Sequence, residues 1–389
     1  MEKLGSSIVR AVSGSSTVAI SDRARQLQQE GISVINLGSG DPDFATPQYI
    51  KDAAIKSMES DFTHYVDSKG IPQIRKAIAE KYQQEQGLTY DFNKEIIVTA
   101  SGKVALYIAL TAIVDPGDEV LIFEPAWVSY RPIVQLLQGV PVGVPLKFED
   151  NFLISEEIIE KFVTKKTRAI IVNSPSNPTG RILSEAELSS IAKMAKKYDL
   201  WVITDDIYEK IIYDGRTHRT LASLPEMKER TIVVNGMSKA YAMTGWRLGY
   251  LAGPANIMKE ILKVQQHSVT CAASFTQIGG LAALEGGNEA VNLMVSEYDK
   301  RRREITAALN RIPGVQCPLP EGAFYFFPRV DYKGMTSLEL AKYLLDDAHV
   351  AVTPGIAFGE AGEGCIRLTY ATSLSNLREA VKRIEQALR

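Results

Sequence analysis

The sequence predicts an α/β protein: a large domain on a mostly parallel sheet, and a smaller α+β domain built from both chain ends. Three observations predict it. The 389 residues exceed the roughly 250–300 at which a single hydrophobic core stops growing, so two units are expected. Between about residues 95 and 270, short β-branched runs alternate with longer amphipathic stretches, the pattern of βαβ units. Beyond Gly287 that alternation stops and a long charged helix begins.

The elements follow in order. The first 45 residues hold one helix candidate, 21–30, and the segment INLGSGDPDFATP, too little to fold alone, so they are expected to join the carboxyl-terminal unit. Strands are expected at 95–99 (EIIVT), 119–123 (EVLIF), 140–144, 168–173 (RAIIVN), 200–204 (LWVIT), 231–235 (TIVVN) and 248–252 (LGYLA). Helices fall between them, at 104–114, at 254–267 and at 184–197, where Ser184 and Glu187 make a capping box. The next helix, 289–310, carries Lys300-Arg301-Arg302-Arg303, which reads as a solvated face. A Pro/Gly-rich stretch, a helix at 337–347, a glycine-rich loop, a strand at 365–370 and a helix at 375–388 complete the chain. The division is therefore 1–45 with 288–389 in the small domain and 46–287 in the large one. Neither repeats nor low-complexity tracts occur.

Charge and composition exclude several classes. Forty-four basic against 46 acidic side chains leave a formal charge of −2, which argues against a nucleic-acid or polyanion binder. Cys271, Cys317 and Cys365 form no C-x-x-C pair and are odd in number, pointing to a reducing compartment, the cytoplasm. The amino terminus lacks the apolar stretch of a secretory signal, and the longest apolar run, 104–114, falls well short of the roughly 20 residues of a membrane span. His64, His218, His267 and His349 are scattered, so no clustered metal site is expected. With neither a phosphate-binding G-x-x-x-x-G-K-[ST] loop nor a G-x-G-x-x-G after a first strand, the usual P-loop and dinucleotide chemistries drop out.

The informative residues lie where strands end, the place where open α/β sheets bind ligands. Ser101-Gly102-Lys103 leaves the strand 95–99 and opens an apolar helix, so its free backbone N–H groups and dipole form a ready anion site. A lysine in a first helical turn is disfavoured unless an anion is near, though Lys103 alone is compatible with an ordinary solvated side chain. At 235–250, NGMSKAYAMTGWRLGY surrounds Lys239 with small and aromatic residues and places Arg247 eight positions on. A lysine desolvated in this way has a lowered pKa and can form a Schiff base.

The string SKAYAMTGWRLGY resembles the cofactor-lysine signature of class I pyridoxal-phosphate aminotransferases. So do SPSNPTG at 174–180, DDIYEK at 205–210, IRLTYA at 366–371, LGSGDPDFATP at 37–47 and EPAWVSY at 124–130, in the same order over nearly the whole chain. The resemblance is closest to the bacterial-type aspartate aminotransferases, and it implies fold type I of the pyridoxal-phosphate-dependent transferases.

The resemblance also implies roles. Lys239 carries pyridoxal 5'-phosphate and is the catalytic residue; Asp205, chosen over Asp206 by its spacing to the tyrosine, pairs with the ring nitrogen and keeps it protonated. Tyr208 and Asn177 serve the phenolic oxygen, Trp127 stacks on the ring, and Gly102, Lys103, Ser238 and Arg247 form the phosphate cup. Tyr65 resembles the tyrosine that reaches the neighbouring subunit's phosphate, implying a homodimer with shared active sites. Arg367 takes the substrate α-carboxylate, assisted by Gly40 and Asn177, while Lys103 and Thr17 match contacts to a second carboxylate. The activity implied is a ping-pong transamination between an L-amino acid, aspartate or glutamate foremost, and a 2-oxo acid.

Two positions depart from the family: the loop reads Ala-Ser-Gly-Lys-Val, and position 236 is glycine, which removes one possible hydroxyl contact to phosphate. The alternatives are an aromatic or prephenate aminotransferase, a pyridoxal-phosphate C–S lyase, or a regulatory or binding protein that keeps the fold without the chemistry. Retention of Lys239, Asp205 and Arg367 together argues against the last.

Overall fold

The computed structural model describes residues 5–12 and 16–389, without the side chains of 16–19 and 21. Its centre is a seven-stranded sheet in the order Ile96–Thr99, Gly249–Ala252, Thr231–Gly236, Trp201–Asp205, Thr167–Asn173, Glu119–Glu124, Val140–Pro145. Gly249–Ala252 runs antiparallel to both neighbours, and the remaining pairings are parallel. Strands buried on both faces read as continuous apolar runs. Their alternate side chains divide between two cores: Ile171, Ile203 and Val234 pack with the helices Gly102–Ile113 and Ala255–Ser268, whereas Ile170, Val172 and Val202 meet Glu185–Lys197.

Local chemistry fixes the helix ends. Ser184 and Glu187 form the expected capping box, and the buried Glu187 also receives both guanidinium nitrogens of Arg181 (2.8 and 2.9 Å) and the amide of Ile154 (3.0 Å). One carboxylate thus ties a helix start to two preceding loops, an arrangement in which loss of the acid would strand a buried guanidinium.

The amino-terminal strand Ile35–Asn36 pairs in parallel with Val350–Ala351. Leu37 shares an apolar core with residues of Glu289–Leu309, Ser337–Asp346 and Leu374–Leu388. Beside it lies a three-stranded sheet with Ile366–Thr369 between Tyr325–Phe326 and Thr353–Pro354, which places Arg367 on a central strand.

One expectation is corrected. The Lys300–Arg303 run is not simply a solvated face: Arg301 is 6% exposed and Arg302 0%. Arg301 donates to Asp43 (2.8 and 2.9 Å) and to the carbonyl of Tyr370 (3.2 Å). Arg302 meets Asp299 and Asp214 and lies 4.3 Å from the centre of the Tyr213 ring. Burial is tolerated because each guanidinium finds carboxylates and an aromatic face, and Asp43 and Asp214 come from distant parts of the chain. The three cysteines are free, and among the described residues no helix is long and apolar enough to cross a membrane.

Candidate active site

The carboxyl ends of the sheet strands open into a cavity of about 510 Å³. It is lined by Gly40, Gly102, Lys103, Trp127, Asn177, Asp205, Tyr208, Ser238, Lys239, Arg247 and Arg367, so eleven residues singled out from sequence converge on one space. Two do not appear in that lining: Tyr65 is 88% exposed on the surface, and the side chain of Thr17 lies outside the described residues. Asp205 and Asp206 separate as strand alternation requires, Asp205 lining the cavity and Asp206 fully buried away from it.

The floor of the cavity is a helix start. Ser101 caps Gly102–Ile113 through its Oγ, which accepts the amide of Val104 at 3.2 Å, and its φ of 126° is a strained value for a side-chain-bearing residue. The first amides of a helix have no intrahelical acceptor, so those of Gly102 and Lys103 are left for an anion. Two glycines make room for this turn. Gly236 and Gly249 sit opposite each other in adjacent strands, and a Cβ on Gly249 would meet the Gly102 nitrogen at 2.3 Å. A Cβ at 236 would meet the Leu248 carbonyl oxygen at 2.8 Å, so close strand packing gives a steric reason for glycine there.

Five cations line the cavity; Arg25 pairs with Asp22 at 3.1 Å, and the other four, Lys103, Lys239, Arg247 and Arg367, have no carboxylate bound to them among the described residues. Lys239 Nζ donates to the carbonyl of Gly40 at 2.5 Å, and Gly40 itself lies too close to Tyr325 Oη for a side chain, 2.7 Å from the ideal Cβ. Burial, reinforced by Arg367 and Arg247, pushes the Lys239 amine down to about 8 despite the opposing field of Asp41, leaving a usable neutral fraction near neutral pH. Lys103 lies 4.9 Å from the Trp127 ring centre, and burial together with Arg247 lowers its pKa. Arg247, in a left-handed conformation, donates to the carbonyl of Thr244 at 2.7 Å.

Arg367 is the most telling of the four. It is 5% exposed and gives its hydrogen bonds to Asn177 Oδ1 (3.0 Å), to the carbonyl of Gly38 (2.7 Å) and to the Thr353 hydroxyl (3.4 Å), while its buried Nε has no partner among the described residues. Tyr325 and Phe358 cover it at 4.5 and 5.0 Å from their ring centres. A desolvated guanidinium held by neutral oxygens and rings is poised for an anionic ligand.

Opposite these cations, Asp205 is buried, accepts the Tyr130 hydroxyl at 2.8 Å and the amide of Ile207 at 3.3 Å, and is pushed up to about 6, chiefly by desolvation. Tyr208 shares a 2.8 Å hydrogen bond with Tyr325. The residues present therefore supply an amine, a buried carboxylate, phenols and an anion cradle within one cavity, the donor set that pyridoxal phosphate requires.

The sequence matches the family described as Aminotransferase class I and II over residues 32–384. The chain belongs to this family. It is 44% identical over 381 residues to an aspartate aminotransferase of Musicola paradisiaca, covering 98% of this chain and 95% of that one. An aromatic-amino-acid aminotransferase of Thermococcus litoralis is 41% identical over 358 residues, 92% of each chain. The aspartate aminotransferase of Thermus thermophilus solved with maleate superposes with a TM-score of 0.94 at 38% identity, covering 100% of both chains. The chain is thus a pyridoxal-phosphate-dependent aminotransferase of fold type I.

Within this aminotransferase, Thr244, one of the hydroxyls near Lys239 in the sequence, lines the cavity, and so do Tyr130, Tyr325 and Asn173, which sequence patterns do not single out. Asn173 faces Asp205 across the parallel pairing, donates to its carbonyl at 2.8 Å, and accepts the amide of Asn177 at 2.8 Å. Its place at a strand end was the available signal. Tyr130 stands at the end of EPAWVSY, whose tryptophan alone drew notice, and Tyr325 is hidden in an apolar run, GAFYFF.

Proposed function

We propose that the enzyme moves an amino group between a dicarboxylic L-amino acid, aspartate or glutamate, and a 2-oxo acid such as 2-oxoglutarate or oxaloacetate, in two half-reactions. The observation that carries this reading is the buried, carboxylate-free Arg367 sharing a cavity with Lys239 and a second, separate cation, Lys103. The maleate bound to the Thermus relative is a dicarboxylate, and the aspartate aminotransferase from Musicola agrees in class.

Lys239 would hold pyridoxal phosphate covalently, Asp205 would face its ring nitrogen, and Tyr208 and Asn177 its phenolic oxygen. The amides of Gly102 and Lys103, Ser238 and Arg247 would hold the phosphate, with Trp127 against the ring. When bound, the group withdraws electron density from the substrate α-carbon and stores the amino group between half-reactions. Arg367 binds and orients the α-carboxylate, its fork fixed by Asn177 and Gly38. Lys239, once released from the cofactor, takes the α-proton on Nζ and returns it, a role suited to an amine at about 8. Asp205 would balance a positive charge on the ring, and the Tyr130 hydroxyl favours its ionised form against the desolvation that raises it. Lys103, with the Gly40 backbone, completes the reading of the substrate.

We also propose the domain division 1–45 plus 288–389 against 46–287, which the pairing of Ile35–Asn36 with Val350–Ala351 supports. A cytoplasmic homodimer completes the proposal. Tyr65 is exposed, and Ile55 and Met58, 46% and 40% exposed, border an open groove of about 780 Å³ that shares Arg247 with the active site. A partner seated there would bring its own Tyr65 toward the phosphate cup. The test of the function is a panel of amino donors against 2-oxoglutarate: turnover highest with aspartate is expected, and none with aspartate would reject the reading. Aromatic donors outpacing aspartate would favour the activity named for the Thermococcus relative.

A further inference from the structure

Behind Asp205, on the face of the sheet turned away from the cavity, lies a group of charges, buried at Asp206, His218, Lys81 and Glu209 and reaching the surface at Glu85 and Lys210. Asp206 is 0% exposed; its Oδ1 accepts the Thr204 hydroxyl at 2.6 Å, and its Oδ2 lies 3.3 Å from Nε2 of His218, whose side chain is 4% exposed. Close by, Lys81 pairs with Glu209 at 2.6 Å and with Glu85 at 3.4 Å, and Lys210 also meets Glu85. The hydroxyl of Tyr90 is buried nearby without a hydrogen-bond partner among the described residues. The carboxylates of Asp206, Glu209 and Glu85 face Lys81, Lys210 and His218, so the group is neutral only when His218 carries its proton. A buried carboxylate without its counter-charge is strongly disfavoured, which makes the imidazolium part of the fold.

Asp206 is also the residue after Asp205, so any imbalance at Asp206 is felt in the cavity through one peptide unit. We propose that His218 is a positioning residue which, through Asp206, sets the electrostatic potential beneath Asp205 and so the proton affinity of the cofactor held against it. The inference rests on the assignment of Asp205 to the ring nitrogen. The other charged groups facing His218 are Glu209 and Lys81, which pair with each other, so Asp206 is the group that His218 balances.

Removal of the imidazolium leaves one uncompensated negative charge. At about 10 Å and an effective dielectric of about 20, it would raise a cationic group's pKa by about one unit. In the holoenzyme, His218→Gln is therefore expected to move the pH midpoint of the cofactor's visible absorbance band upward by about one unit. Asp206→Asn should move it little, because His218 then loses its proton and the group stays neutral, and the double variant should return the midpoint to the wild-type value. A merely structural role would weaken cofactor retention without this reversal. An unmoved midpoint in His218→Gln, or a double variant that keeps the single variant's shift, overturns the proposal. A wild-type protein showing no cofactor band overturns the Asp205 assignment along with it. Should His218→Gln not fold, the ring signals of His218 in cofactor-free wild type decide by NMR: an imidazolium at pH 7.5 supports the proposal, and a neutral ring refutes it.

Discussion

Asparagine in place of Asp205 should make the cofactor-free protein more stable at neutral pH while disabling the holoenzyme. Asp205 is held at about 6 in the folded chain against an ordinary 3.8, with burial as the main cause. A carboxyl whose folded pKa exceeds its unfolded value binds its proton more tightly when folded, so ionising it costs stability. The cost is absent below the unfolded value, grows through the window from 3.8 to about 6, and is complete above it. At pH 7.5 it amounts to ~3 kcal/mol, from which about 1 kcal/mol is deducted for the weakened hydrogen bond to Tyr130. The net gain of about 2 kcal/mol corresponds to a rise in melting midpoint of about 2 °C for a chain of this size. At pH 4.5 only about 1 kcal/mol of the ionisation cost is present, and the lost hydrogen bond cancels it. Thermal melts of cofactor-free wild type and Asp205→Asn at the two pH values read this directly. Midpoints should coincide at the lower pH and separate at the higher. A variant that melts at or below wild type at pH 7.5, or by an equal margin at both, refutes the reasoning. The stability that Asp205 withholds from the empty protein is the reserve that a cationic ring nitrogen would recover on binding.

Three further outcomes follow from named contacts. Arg367→Lys keeps the charge but loses the fork aligned by Asn177 and Gly38; steady-state kinetics should show KM for every amino donor raised by about 100-fold, and an unchanged KM would contradict the role. Gly249→Ala places a methyl against the Gly102 nitrogen and the Ser101 carbonyl carbon, so cofactor titration of the empty protein should show affinity reduced at least about tenfold, with ~1–3 kcal/mol of stability lost to overpacking. Sedimentation equilibrium should give a dimer, and Tyr65→Phe should weaken cofactor retention without dissociating it; a monomer at micromolar concentration would contradict the shared site.

The large sheet was legible because its inner strands are short apolar runs of the kind that burial on both faces demands, the edge strand Val140–Pro145 being partly exposed. The observed boundaries of Thr231–Gly236 and Trp201–Asp205 lie within one residue of those expected. What the runs do not encode is order: the insertion of Gly249–Ala252 against the direction of its neighbours depends on long-range packing, not on local pattern. The helices Gln48–Glu59 and Pro72–Gln86 escaped notice because their polar faces dilute the apolar stripe, with buried positions such as Ile50, Ala54, Ile74 and Ile78 spaced four apart. The helix Ser16–Gln29 likewise starts five residues before its expected first turn.

For the site, residues embedded in contiguous motifs were readable, and Lys239, Asp205 and Arg367 do meet in one cavity. Contacts made across the fold were not. The hydrogen bond from Tyr130 to Asp205 and the ring of Tyr325 over Arg367 join segments far apart in sequence. The buried arginines at 301 and 302 fail as sequence signals for the same reason, since their carboxylate partners Asp43 and Asp214 carry no local mark.

The central claim is that Lys239 carries the cofactor at this site. Borohydride reduction of the yellow holoenzyme, followed by digestion and mass spectrometry, tests it most directly. The account predicts a single modified tryptic peptide, Thr231 to Arg247, left uncut at Lys239 and carrying the added mass there. Label on any other lysine, Lys103 included, or no label on a protein that still transaminates, would contradict it.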